Sequence, residues 1–324
     1  MEPDESVSAD PLRARPVVPV VSVVLCVRNG AAVVGRQLGA LAAQDLDAPW
    51  ELVVVDNGSR DATAAVVARW VDGHPTWRLV AEPTRGVNRA RNRGVAVAIA
   101  PCVALCDADD EVDPGWLGAM TEGLTHHDIV GGALVDDPGA RPRSAWSNVH
   151  QRDALPIVHG RPYVMGASLG FRREVFDTVG GFDRRYEGGA DDVDFVLRAV
   201  DAGATVAFVP EARTRYRVKE TAAAVMRQQY FYGRGYQRLL ELHDLPGDRT
   251  RDTRRLRATA VTRGYRRAVV RIVRVTRRDE RYGYLAGLAH LSGEAVELVA
   301  AVRASGRCPR RCRVPASGCG TVPR

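Results

Sequence analysis

Between Val17 and about Phe208 the chain alternates short apolar runs with helix-length segments, and no other feature constrains the fold as strongly. VVPVVSVVLCV, ELVVVD, WRLVAE, CVALCD, DIVGGALV and TVAFVP read as strands. AAVVGRQLGALAAQ, DATAAVVARWV and VNRARNRGVAVAIA read as the helices between them. Strands that are apolar almost throughout need cover on both faces, which a parallel sheet with crossover helices supplies. The expected class is α/β: a Rossmann-like, mostly parallel sheet with helices on both faces, followed by a basic helical C-terminal region. In such sheets ligands lie beyond the carboxyl ends of the strands. Three runs end there in polar chemistry: Val55 leads into Asp56, Cys106 into Asp107, and the first strand into Arg28-Asn29-Gly30.

After Phe208 no further strand is expected, and residues 219–303 read as helices, beginning with ETAAAVMRQQYFYGRGYQRLLELH. The expected organisation is a disordered N-terminus over 1–16, a sheet domain over 17–218, a basic helical region over 219–305 and a disordered tail over 306–324. Charge divides along the same line. Residues 1–215 hold 22 Arg against 30 acidic residues, net −8, whereas residues 216–324 hold 23 Arg and one Lys against 9 acids, net +15. Only Lys219 among the 46 basic residues is lysine, so a codon bias toward arginine accounts for part of the excess, though not for its position.

Composition removes several classes. With 45% apolar and 26% charged residues the 324-residue chain is an ordinary globular one. No window approaches eighteen apolar residues, and the opening MEPDESVSADPLRARP is acidic where a secretory signal would be basic and then apolar, so a cytoplasmic protein is expected. Cys26, Cys102 and Cys106 sit in or beside apolar runs and read as small hydrophobes. Cys308, Cys312 and Cys319 lie in a Pro/Gly/Arg-rich tail without a fourth ligand to complete a zinc site.

Four segments carry candidate chemistry. CDADD places Asp107, Asp109 and Asp110 past a strand end, and alternate carboxylates there suit a hard divalent cation. The alternative is an acidic turn with Asp113 capping a helix that begins near Pro114. VVVDNGSRDAT ends a strand in Asp56, which can accept from the imide N–H of a uracil-like base or from a ribose hydroxyl. Asp61 would cap the next helix. GVNRARNRG puts Arg89, Arg91 and Arg93 near a helix start, against the helix dipole, which a nearby phosphate or base would explain. GGFDRRYEGGADDVDF crowds Asp191, Asp192 and Asp194 into the first turn of a helix, more acids than capping requires, with Asp194 and Arg198 at i,i+4 spacing.

In this order and spacing, over about residues 18–240, these segments together with VSVVLCVRNG and GASLGFRREVFDTVGGFD resemble the family 2 glycosyltransferases. The resemblance implies a GT-A fold, a nucleotide-diphosphate sugar donor, a divalent metal (Mg²⁺ or Mn²⁺) and inversion at the anomeric carbon. It further implies that Asn29, Asp56, Arg91 and Asp107 serve the donor nucleotide, and that Asp109, with Asp107, holds the metal. Asp192 stands at the position of the catalytic base, with Asp191, Asp194 and Arg198 in support. Two features of the family are absent. The stretch ARTRYRVKE lacks the His that many relatives carry after the last strand, and RQQYFYGRGYQR lacks the Trp of processive members, so single addition is expected.

The same chemistry holds without the name: inverting transfer needs a carboxylate to take the acceptor proton and positive charge to neutralise the departing diphosphate. A nucleotidyltransferase would share the sheet and the acids, but VRNGAAVVGR matches its Gly-rich basic loop only weakly. A non-catalytic nucleic-acid binder would explain the +15 part but not the acids, and no nucleic-acid partner is expected. Thirteen Arg between Arg249 and Arg281 would draw that part to an anionic membrane surface, in keeping with a lipid-linked or other glycan acceptor, or else form a solvated face beside a small-molecule acceptor.

Overall fold

The computed structural model describes residues 18–136, 151–186, 188–219, 221–243, 289, 290 and 292. In chain order the elements are β1 (Val21–Val27), α1 (Val34–Ala42), β2 (Trp50–Asp56), α2 (Thr63–Asp72), β3 (Trp77–Ala81), α3 (Val87–Val97), β4 (Cys102–Asp107), β5 (Glu111–Val112) and α4 (Trp116–His126). They continue with β6 (Ile129–Asp136), β7 (Ile157–Val158), β8 (Arg161–Pro162), β9 (Ser168–Arg172), α5 (Arg173–Val179), α6 (Asp191–Asp201), β10 (Val206–Tyr216) and α7 (Ala222–Leu242). All six expected strands and all three expected helices of the first half form. α7 covers most of the first helix read after Phe208, ETAAAVMRQQYFYGRGYQRLLELH. The remaining C-terminal segments and both termini lie outside the described residues, apart from 289, 290 and 292.

Eight strands make one sheet in the order β3-β2-β1-β4-β9-β6-β10-β5, and β7 pairs with β8 in a separate hairpin. β1, β2, β3 and β4 are mutually parallel, as are β6 and β10. Successive residues of the inner strands feed opposite cores. Val23, Leu25, Leu52, Val54 and Ala104 pack with the apolar faces of α1, α2 and α4, while Val24, Val53, Val55, Val103 and Leu105 pack with those of α3, α5 and α6. In the second core Phe171, Phe182 and Phe195 meet at ring-centroid distances of 4.6 to 6.2 Å.

One strand was not foreseen, and two expectations need correction. First, β9 inserts antiparallel between β4 and β6, splitting the parallel sheet in two. SLGFR is short and has no continuous apolar run; its two flanking partners make it a strand. Second, the strands do not stop at Phe208. β10 runs on to Tyr216 after its register with β6 shifts between Val209 and Arg213. Pro210 has no N–H to give the ladder, so the chain bulges there. Beyond it Ala212 and Thr214 point inward while Glu211, Arg213 and Arg215 stay exposed. Third, α4 starts at Trp116 without a side-chain cap, and the Asp113 carboxylate pairs with Arg215 at 3.0 Å instead. The backbone oxygen of Asp113 accepts from Trp116 N–H.

Candidate functional site

The registers β1–β2 and β1–β4 set Val27 opposite Asp56 and Cys26 opposite Asp107, so the two strand-end acids flank the end of β1. The loops that follow are stitched to each other. Asn29, at φ 50°, donates its backbone N–H to Ser59 Oγ at 2.9 Å and accepts from Arg60 N–H at 2.8 Å, while Asp56 accepts from Ser59 N–H at 3.1 Å. Asp61 accepts from Thr63 N–H at 3.1 Å, at the start of α2. Asn57 accepts from Gly86 N–H at 2.8 Å and donates to the carbonyls of Glu82 and Thr84, which fixes the entry to α3.

α3 presents one polar, inward face, because Asn88, Arg91 and Asn92 fall at i, i+3 and i+4. Asn88 donates to the carbonyl of Asp183 at 2.9 Å and to that of Tyr186 at 2.5 Å; Asn92 donates to the Phe182 carbonyl at 2.8 Å and accepts from Phe182 N–H at 2.9 Å. The chain between α5 and α6 is thereby clamped to α3, and α6 is delivered to the cleft. Arg91 lies between these asparagines and is only 6% exposed. It donates to Asp191 Oδ2 at 2.7 Å and stands 3.8 Å from Asp107, and its guanidinium lies 5.6 Å from the centre of the Phe182 ring. A Cβ on Gly166 would fall 2.1 Å from the Arg91 guanidinium, so the bare backbone at 166 makes room for it.

The electrostatics follow from this crowding. Burial pushes the Asp191 carboxyl up to about 6, against the pull of Arg91 and with the help of Asp192. Burial alone would lower Arg91, but Asp191, Asp192 and Asp107 together raise it. Burial also raises Asp107, with Arg91 opposing and Asp109 adding to the shift. Asp110 is pushed well up by burial and by Asp107; one of its oxygens accepts from Arg217 N–H at 2.8 Å, and the other is buried without a hydrogen-bond partner. Asp109, two positions on from Asp107, pairs with the ammonium of Lys219, just past β10.

Asp192 is held by two backbone donors, Gly166 N–H at 2.7 Å and Val193 N–H at 2.9 Å. Burial and the Asp192 charge raise the Tyr163 phenol, and burial, Asp192 and Asp107 raise that of Tyr232 on α7. Tyr232 and Arg91 thus each feel the charge of both Asp107 and Asp192. Asp194 and Arg198 form the expected pair at 2.7 Å, but away from the cleft: Arg198 also donates to the carbonyls of Val179 and Gly181, fixing the glycine turn before α6. Asp194 also takes His243 Nε2 at 2.8 Å, tying α6 to the end of α7. Asp56 and Asn29 stay with the β1 and β2 loops and do not reach Arg91. Sequence reasoning missed Asn88, Asn92, Gly166, Lys219 and His243. The helical spacing of the asparagines and the singularity of the lysine were the readable signals.

Among the described residues no group of three or more His, Cys, Asp or Glu is arranged to hold a metal, and no helix is long and apolar enough to cross a membrane. The sequence matches glycosyl transferase family 2 over residues 22–180 and glycosyl transferase family group 2 over residues 102–289. It is 29% identical over 224 residues to a pre-mycofactocin glycosyltransferase of Mycobacterium tuberculosis, covering 66% of this chain and 46% of that protein. It is 27% identical over 203 residues to an N-acetylglucosaminyl-diphospho-decaprenol L-rhamnosyltransferase of the same organism, covering 51% and 65%. The chain thus spans about half to two thirds of the length of these relatives. Among solved structures, the mannosyltransferase PcManGT from Pyrobaculum calidifontis, in complex with GDP-Man and Mn²⁺, superposes with a TM-score of 0.54 at 24% identity, covering 88% of this chain and 76% of that one. The architecture is the GT-A fold.

Proposed function

The chain belongs to the family 2 glycosyltransferases, and from that premise we propose that it moves one sugar from a nucleotide-diphosphate sugar to an acceptor hydroxyl with inversion. The observation that carries this reading is the position of Arg91, buried between Asp107 at the end of β4 and Asp191 at the start of α6, with Asp192 beside it. One guanidinium therefore fixes the spacing between the acids that face a leaving diphosphate and the acid that faces an acceptor.

Asp192 is the base. The two N–H donors on its oxygens fix its orientation, and each oxygen keeps a lone pair for the incoming hydroxyl. As the acceptor oxygen forms its bond to the anomeric carbon, its proton passes to Asp192. The bond from that carbon to the diphosphate breaks, and the electron pair leaves with the diphosphate. Asp191 holds Arg91 in place, and Asp194 with Arg198 holds the turn that delivers the base.

Asp107 and Asp109 fit a hard divalent cation, since both offer only oxygen and stand at alternate positions of one strand end. Mg²⁺ or Mn²⁺ bound there would neutralise the departing diphosphate. With no third protein ligand among the described residues, diphosphate and water would complete its shell. Asp56, at the end of β2, suits the imide of a uracil base, which favours UDP over other carriers. The acceptor we infer is a glycan, lipid-linked or otherwise part of the cell envelope, in line with the decaprenol-linked substrate named for the rhamnosyltransferase relative and with the net +15 of residues 216–324. Purified protein should release nucleoside diphosphate from at least one nucleotide sugar when Mg²⁺ or Mn²⁺ is supplied. No release across a panel of UDP-, GDP- and dTDP-sugars would sink the reading.

A further inference from the structure

The chain has 45 arginines and one lysine, and that lysine is in the cleft, on Asp109. The two cations differ in what they can do. Arginine holds a carboxylate in a rigid two-point grip, whereas an ammonium on a flexible stem is a compact charge that changes partners at little cost. Arg91 is the fixed kind: buried, held by Asp191, with Asn88 and Asn92 anchoring its helix on either side. Lys219 is the movable kind, with 36% of its side chain exposed and Asp109 as its acidic partner. Its backbone is nonetheless tethered close by, because Arg217 N–H bonds to Asp110 two residues earlier.

Lys219 therefore stands on a carboxylate that a divalent cation would also need. Resting on the transferase reading above, we propose that Lys219 and the metal compete for Asp109. In the free protein the ammonium holds Asp109. When donor and metal enter, the ammonium is displaced onto the diphosphate and neutralises the charge that builds there as the sugar leaves. No bond is made or broken at Lys219, and it keeps its proton throughout. Lys219 is then a leaving-group residue, at the end of the strand where relatives of this fold class were expected to offer a histidine and this chain offers none.

The proposal predicts opposite shifts in two binding measurements on the full chain. Lys219→Ala should bind Mn²⁺ alone more tightly than wild type, by about tenfold in free-Mn²⁺ titration followed by electron paramagnetic resonance. The same variant should bind UDP or GDP with Mn²⁺, whichever wild type binds better, about tenfold more weakly by calorimetry. Lys219→Arg, whose two-point grip on Asp109 yields less readily, should bind Mn²⁺ alone more weakly than Lys219→Ala and should not recover the wild-type diphosphate affinity. A residue that merely supports the fold would move both affinities of Lys219→Ala downward. That result, no change in either affinity, or a wild type that binds neither nucleotide would overturn the proposal. These readouts involve no turnover. Failure to release diphosphate from any nucleotide sugar, alongside the opposite binding shifts, would overturn the transferase reading and leave the competition at Asp109 standing.

Discussion

The two ends of the sheet handle buried charge in opposite ways. At the amino ends of the strands Glu51 is 4% exposed, yet it accepts from Ser22 Oγ at 2.5 Å, from Ile99 N–H at 2.7 Å and from Arg78, while Ser22 Oγ accepts in turn from Ala100 N–H at 3.0 Å. One acid has one cation and several neutral donors, and the network closes on itself. At the carboxyl ends Asp107, Asp109, Asp110, Asp191 and Asp192 face the cations of Arg91 and Lys219, and a buried oxygen of Asp110 has no hydrogen-bond partner. The first end is satisfied by the protein alone. The second sets five acids against two cations in these contacts, an imbalance that a cationic or proton-donating ligand would relieve.

Substitutions at the two ends should therefore split rate from stability. The largest effect is expected at the base: Asp192→Asn keeps the shape and removes the proton acceptor, so kcat should fall by roughly 10²-fold or more, with the melting temperature and donor affinity nearly unchanged. Normal turnover in that variant would remove Asp192 from its role. At the other end Glu51→Ala should lower unfolding free energy by about 2–3 kcal/mol in a denaturant titration, because it strips buried donors of their acceptor, while the folded fraction keeps wild-type kcat. A loss of kcat there at unchanged stability would erase the contrast between the ends.

A smaller effect should appear in pH dependence. The raised Asp191 carboxyl, at about 6, means that the native state holds this proton more tightly than the unfolded chain, whose value is 3.8. Stability from this group is fully present below 3.8 and is lost as pH rises through about 6. Wild type should thus lose stability relative to Asp191→Asn between those values, while its rate rises over the same window as Asp191 ionises and seats Arg91. A stability difference that is flat from pH 3.8 to 6 would show that Asp191 ionises as an ordinary surface acid does.

What the sequence disclosed and what it withheld differ in range. The runs ending at Val55 and Cys106 carry their apolar pattern within themselves, so β2, β4 and the acids after them could be read directly. The pairing of Asp194 with Arg198 needed only the helical repeat. The strand status of SLGFR, by contrast, depends on neighbours more than sixty residues earlier and nearly forty residues earlier, and no local pattern encodes it. The acids at the start of α6 could be counted but not told apart. Ala190 at φ 65° sets the phase of that helix, so Asp191 turns into Arg91, Asp192 onto the backbone at Gly166, and Asp194 back toward His243. The inward face of α3 was visible as spacing, yet its partners, the carbonyls of residues 182–186, lie some ninety positions on.

The lone lysine has a practical consequence. A chain with one ε-amine in 324 residues offers amine-directed reagents only that group and the α-amine. An acylating dye at Lys219 would sit in the cleft without any engineered cysteine, and its rate of attachment would report whether the amine is held or free. A lysine-specific protease has one bond to cut, after Lys219, between the sheet and α7. Protection of that bond by added ligands would give a gel-based reading of cleft occupancy on unmodified protein.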